Sequence, residues 1–140
     1  MALDLTYFED VEVGDVLVTP AMTVTEAHVS LYRGVTGDTG PADPREVPEL
    51  FPLCLSTGLG WRVSRAPLAV MAFMGFDWRI VAPLHVGDTV HSRATARIKR
   101  TMRDGGVVVE EHDIVNQAGE VVQQGAFTFL IAKRPKETVS

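Results

Sequence analysis

Two carboxylates, Asp38 and Asp43, flank a Gly40-Pro41 step, and a third, Glu49, follows the prolines Pro44 and Pro48. Paired carboxylates can serve as general acid and general base when proximity or burial keeps one of them protonated. The plainer alternative is that Asp38 turns the chain after a helix and Asp43 is a solvated loop acid ahead of Pro44. Glu49 would then be an acid in a first helical turn. The four histidines, His28, His85, His91 and His112, share no metal-ligand spacing such as i, i+4 on one helix, so no metal site is expected. His28 reads as the polar side of a helix, and His91 and His112 as strand residues. His85 differs because it lies in a turn, from which a side chain could reach over a pocket. Cys54 is the lone cysteine; it excludes an internal disulfide and a cysteine zinc cluster, and reads as a small buried residue. Arg62 or Arg65 could offset the acidic group or bind a substrate carboxylate. Each suits a helix end equally well.

These residues need a scaffold, and the pattern of the chain supplies one. Val16 to Val18 and Met22 to Val24 read as short strands broken at Pro20. Thr25 suits a helix N-cap, with Glu26 in the first turn and Gly37 as the stop. Ala27, Leu31 and Val35 recur every four residues, which is one face of that helix. Asp38 to Pro52 holds four prolines and reads as loop. A second, central helix is expected from Pro52 through about Val63, with Ser56, Gly58 and Gly60 small enough for close approach to a sheet. Val70 to Val81 is a long apolar strand. In Thr89 to Arg100, Val90, Ser92, Ala94, Ala96 and Ile98 alternate with His91, Arg93, Thr95, Arg97 and Lys99, the period of a half-buried strand. Asp104-Gly105-Gly106 marks a hairpin, and Val107–Val115 and Glu120–Ala132 complete an antiparallel meander.

Composition bounds the rest. The chain has 140 residues, 46% hydrophobic and 22% charged, which fits one globular domain. We expect that domain over residues 1–134, with a polar tail over 135–140. Thirteen Lys and Arg against eighteen Asp and Glu give a net charge of −5, so a nucleic-acid partner is not expected. The longest uncharged runs span about a dozen residues, short of the roughly 18–20 that cross a bilayer. With no basic n-region or apolar h-region at its start, the chain reads as cytoplasmic. The basic strand face, Arg93, Arg97, Lys99 and Arg100, is either solvated or a seat for phosphates.

The order of several short motifs carries a resemblance. Tyr7-Phe8-Glu9-Asp10-Val11-Glu12-Val13-Gly14-Asp15, Thr23-Val24-Thr25-Glu26-Ala27 and Gly34-Val35-Thr36-Gly37-Asp38 resemble the opening of MaoC-like proteins. That family includes the (R)-specific enoyl-CoA hydratases. Pro83-Leu84-His85-Val86-Gly87-Asp88-Thr89-Val90 and Val115-Asn116-Gln117-Ala118-Gly119-Glu120-Val121-Val122 are similar to its later strands. The resemblance covers about residues 6–134. It implies an α+β hot-dog fold, a long central helix wrapped by an antiparallel sheet, and a homodimer acting on acyl-CoA or carrier-bound acyl thioesters without a cofactor.

The family motif Ser/Thr-Gly-Asp-x-Asn-Pro-x-His reads here Thr36-Gly37-Asp38-Thr39-Gly40-Pro41-Ala42-Asp43. Asp38 keeps the catalytic Asp position, Asp43 replaces the His, and Gly40 replaces the Asn. The family's Ala-His-Gly element, whose glycine N–H polarises the thioester carbonyl, aligns with Val47-Pro48-Glu49, so Glu49 or Leu50 would supply that N–H. By the same resemblance Gly40, Pro41, Leu50, Trp61 and Arg62 would contact substrate. Three functions follow as expectations: a hydratase or dehydratase with an altered dyad, a non-catalytic subunit of a MaoC-like heteromer, or a thioesterase using a carboxylate such as Glu49.

Overall fold

The computed structural model describes residues 4–138. A six-stranded antiparallel sheet runs in the order β1 (Val16–Val18), β4 (Thr89–Met102), β5 (Gly105–Val115), β6 (Val121–Ile131) and β3 (Val70–Ile80), with β2 (Met22–Thr23) also paired to β4. Two helices, α1 (Glu26–Thr36) and α2 (Phe51–Leu59), precede the long strands, and α2 packs on β4 and β5. Among the described residues no helix is long and apolar enough to cross a membrane.

The caps of α1 are where the sequence puts them. Thr25 Oγ1 accepts from the His28 N–H at 3.4 Å, and Gly37, at φ 72°, donates its N–H to Arg33 O at 2.8 Å. Its buried face is not the Ala27/Leu31/Val35 stripe. Val29 is buried, with Tyr32 and Arg33 partly so, whereas Leu31 and Val35 are 69% and 86% exposed and Ala27 is exposed too. The Ala27/Leu31/Val35 repeat is helical, but positions 29, 32 and 33 form the i, i+3, i+4 stripe that rests on the protein.

The central helix is shorter than expected, nine residues with Pro52 in its first turn, then a 3₁₀ turn over Gly60–Arg62. Pro52, Ser56 and Leu59 form its buried stripe, so Ser56 is the small residue that meets the sheet. Gly58 and Gly60 face open space, and Cys54 is exposed rather than buried.

On β4, Val90, Ser92, Ala94 and Ala96 are buried as the alternation predicts. A register shift between Ala96 and Ile98 then adds a residue and exchanges the faces. Ile98 is exposed, while Lys99 turns back to donate to Val11 O at 2.8 Å with its Nζ over the Phe8 ring. The hairpin turn falls on Arg103-Asp104, so Gly105 and Gly106 open β5. A Cβ on Gly106 would lie 2.1 Å from the Phe8 ring.

The core has two parts. Val24, Val29, Val47, Leu84, Val90, Ile114 and Val122 form one, with Phe51 and Leu55 of α2 against it. Phe8, Val11, Ala69, Ala96, Val108 and Ile131 form the other.

Candidate functional site

A cavity of about 260 Å³ lies between the α2–3₁₀ segment and the inner face of β4, β5 and β6. Leu17, Leu68, Val108, Phe127 and Phe129 line much of it, and the exposed Trp61 stands in its wall. Asp15 and Arg65, 3.8 Å apart, also line it, so Arg65 pairs with Asp15 rather than with the expected acidic group.

One wall is polar. Val108, Glu110, His112 and Ile114 share a parity on β5 and turn inward; Ala94 and Gly125 flank His112 across the sheet. Ser56 Oγ lies 2.9 Å from Ser92 Oγ and 3.2 Å from His112 Nδ1. His112 Nε2 stands 3.6 Å from Glu110 Oε1, and its ring centroid is 4.2 Å from that of Phe127. In the sequence His112 reads only as a strand histidine, and no motif marks Glu110. Their parity with Val108 and Ile114 was the available signal.

The residues singled out from the motifs lie elsewhere. Asp38 Oδ1 accepts the Gly40 N–H at 2.8 Å, and Asp43 Oδ1 accepts the Arg45 N–H at 2.9 Å, so each carboxylate closes a local turn. Gly40, at φ 66°, packs beside the Arg33 side chain and Pro48. Arg33 Nε and Nη2 are buried there with no hydrogen-bond partner among the described residues. Burial pushes the Tyr32 hydroxyl above its ordinary value, with Cys54 and Asp38 nearby adding to the effect. Glu49 and Leu50 are exposed, and their backbone N–H groups find no acceptor among the described residues. Gln123 Nε2 donates to the Glu49 carbonyl at 2.8 Å. Of Gly40, Pro41, Leu50, Trp61 and Arg62, Trp61 alone lines the cavity.

Asp43 has company that the local motif does not supply. A β-bridge between Glu46 and His85 brings the turn before β4 against this loop. Potential ligand atoms of Asp43, Glu46 and His85 lie within 4.8 Å of one another. Spacing along the sequence relates only neighbours in the chain, whereas this set is joined by the fold. A second hollow, lined by Glu46, Val47, Glu49, Gln123 and the Ile80–Leu84 stretch, adjoins it. Of the basic strand face, Arg93 pairs with Asp113 at 2.8 Å, Arg97 with Glu111 at 3.0 Å, and Lys99 points inward. Only Arg100 of the four makes no ion pair or side-chain hydrogen bond among the described residues.

No protein-family profile matches the chain. A fatty acid synthase beta subunit, stcK, of Emericella nidulans is 29% identical over 136 residues, 85% of this chain. The chain spans only 7% of that relative's length. A monoamine oxidase regulatory protein from Archaeoglobus fulgidus superposes with a TM-score of 0.84 at 26% identity, over 94% of this chain and 97% of its own. The MaoC-like dehydratase from Rhodospirillum rubrum gives 0.73 at 20% identity, over 93% and 99%. The R-hydratase PhaJ1 from Pseudomonas aeruginosa gives 0.76 at 17%, over 97% of each. The fold also occurs in the HadBC 3R-hydroxyacyl-ACP dehydratase complex of Mycobacterium tuberculosis, at 14% identity and a TM-score of 0.68 over 84% and 96%. A double hot-dog chain from the same organism shares it too. The chain is therefore an α+β hot-dog protein whose structural neighbours are the MaoC-like dehydratases and (R)-hydratases, the group its motifs resemble.

Proposed function

We propose that the protein is an acyl-thioester hydro-lyase, adding water to, or removing it from, an enoyl or hydroxyacyl thioester. The observation that carries this reading is the convergence of Asp43, Glu46 and His85 on a fold shared with hydratases and dehydratases. The residue expected as histidine is Asp43, and His85 brings an imidazole to it from another part of the chain. In hydration, neutral His85 takes a proton from water as its oxygen bonds to the β-carbon, and returns that proton to the α-carbon on the same face. The carboxylates of Asp43 and Glu46 stabilise the positive charge that develops on the ring. Asp38 shapes the loop through its bond to Gly40, and the free N–H groups at Glu49 and Leu50 polarise the thioester carbonyl. The acyl group enters the hollow lined by Glu46, Glu49 and the Ile80–Leu84 stretch beside these residues, and one hot-dog unit runs through the described residues to 134. Residues 1–3 of the expected domain and 139–140 of the expected tail lie outside the described residues.

The test follows the loss of conjugated enoyl-thioester absorbance with short, medium and branched trans-2-enoyl-CoA. Turnover should fall at least about 100-fold in His85→Gln and in Asp43→Asn, the usual weight of a general acid–base group. Undiminished turnover in both variants would remove this assignment. A second reading is a subunit that works within a heteromer; the exposed apolar strand β3 supports a partner chain, either a second copy or a related one. No activity alone, with activity restored by a hot-dog partner, would select it.

A further inference from the structure

Two motifs far apart in the sequence, Val86-Gly87-Asp88-Thr89 before β4 and Asn116-Gln117-Ala118-Gly119 between β5 and β6, are joined by the fold. Asp88 uses both carboxylate oxygens: Oδ2 accepts the His85 N–H at 2.8 Å, and Oδ1 accepts from Gln117 Nε2 at 2.8 Å. Gln117 uses both ends of its amide, because its Oε1 accepts the Thr89 N–H at 3.0 Å. A backbone N–H can only donate, so this bond decides which way the amide faces and leaves Nε2 for Asp88. Gln117 is presented by a fixed turn, in which Asn116 Oδ1 accepts the Ala118 and Glu120 N–H groups, each at 3.0 Å. On the other side of His85, the Val86 N–H donates to Arg45 O at 2.8 Å and the Val47 N–H to Leu84 O at 2.7 Å. These bonds flank the Glu46–His85 bridge and make it a non-hydrogen-bonded antiparallel pair, the kind that brings opposite side chains closest. That pairing leaves the N–H and C=O of His85 itself facing away from Glu46. Both go to Asp88, whose N–H donates to His85 O at 3.0 Å.

We infer that Asp88 and Gln117 are positioning residues for the imidazole of His85. Asp88 holds the backbone of His85 at both its polar groups, and Gln117 holds Asp88. Neither side chain touches reacting atoms; they act through the ring they place beside Asp43 and Glu46. The inference rests on the hydro-lyase reading for its effect on turnover, and on the hydrogen bonds alone for the holding of His85. Proton transfer is steep in geometry, and a misplacement of about 1 Å can cost about 100-fold in rate. Gln117 is exposed, so its loss bears on the His85 turn rather than on the core.

The test exchanges donor and acceptor in the full chain. Gln117→Glu sets two carboxylates against each other, and Asp88→Asn sets two N–H donors against each other, at Gln117 or, if that amide flips, at Thr89. In the double variant the new amide at 88 donates to the new carboxylate at 117, and acceptors remain for the His85 and Thr89 N–H groups. Each single variant should lower kcat for trans-2-enoyl-CoA hydration about tenfold with KM held within about twofold, and the double variant should recover most of that loss. Amide hydrogen exchange at His85, followed by NMR, reads the geometry without turnover. It should speed at least about tenfold in each single variant and slow again in the double one. Unchanged exchange at His85 in both single variants, or a double variant no better than either, would overturn the inference. So would faster exchange shared by amides across the whole sheet, which is general loosening, or faster exchange at His85 with kcat unmoved. Exchange that follows this pattern in a protein with no turnover supports the holding of His85 and defeats the hydro-lyase reading instead.

Discussion

Gly40 shows how much a single backbone position can hold in place. Its φ of 66° lies in the left-handed region, and a Cβ there would sit 3.1 Å from Arg33 Nη2 and 3.4 Å from Pro48 Cγ. A side chain costs about 1–2 kcal/mol in that conformation before any crowding is counted. Gly40→Ala should therefore lower stability by at least about that amount, visible as a shifted denaturation midpoint with unchanged cooperativity. It should also disturb the turn that the Asp38 carboxylate closes with the Gly40 N–H. An unshifted midpoint would mean that the loop does not need its left-handed residue. The Asn position of the family motif is thus occupied by a residue type that tolerates the same backbone region.

At the scale of elements, strand β3 is one edge of the sheet and an exposed one. Val70, Met71, Phe73, Met74, Phe76 and Ile80 are all exposed along it, on both of its faces. An unpaired apolar edge invites pairing, and a second copy of the same edge is the simplest partner. Phe76→Glu should convert a dimer to a monomer in sedimentation equilibrium; a wild-type protein that is already monomeric at micromolar concentration would defeat the dimer reading. The strands were legible because period-two alternation holds along β4 as far as Ala96, and because glycine and turn residues bound the meander. The bulge between Ala96 and Ile98 was not legible, since one extra residue leaves no mark in composition and exchanges the two faces beyond it. Which face of α1 is buried was not legible for a related reason. Helical periodicity shows that two faces exist, but a partner in space decides which is buried, and apolar Leu31 and Val35 lie on the wrong one. The cavity wall and the Asp43–Glu46–His85 set escaped because each joins residues far apart in sequence through pairings that only the sheet and the Glu46–His85 bridge create.

For the whole molecule, the two ends of the described chain are fastened to each other. The 3₁₀ turn at Phe8–Asp10 lies against the segment after β6, with the Phe8 N–H donating to Ala132 O at 2.9 Å. The Arg134 N–H donates to Glu9 Oε2 at 2.9 Å, and its guanidinium pairs with Asp10. The backbone N–H of Arg134 holds the Glu9 carboxyl below its ordinary 4.5. The Tyr7 N–H, helped by the Arg134 guanidinium, holds Asp10 below 3.8. A carboxyl whose value is lower in the folded chain favours folding above its unfolded value, and that contribution fades as pH falls through the folded value. The clasp should therefore be intact at neutral pH and should loosen only below the ordinary carboxylate range. Carboxyl carbon NMR titration should place both midpoints below 4.5 and 3.8 respectively. Arg134→Ala separates the causes, because it removes a guanidinium and leaves a backbone N–H. Asp10 should then move up while staying below its ordinary value, since the Tyr7 N–H still reaches it at 2.9 Å. Glu9 should barely move, since its main donor is the backbone of residue 134. Equal upward movement of both would mean that the guanidinium, rather than the backbone, fastens the ends.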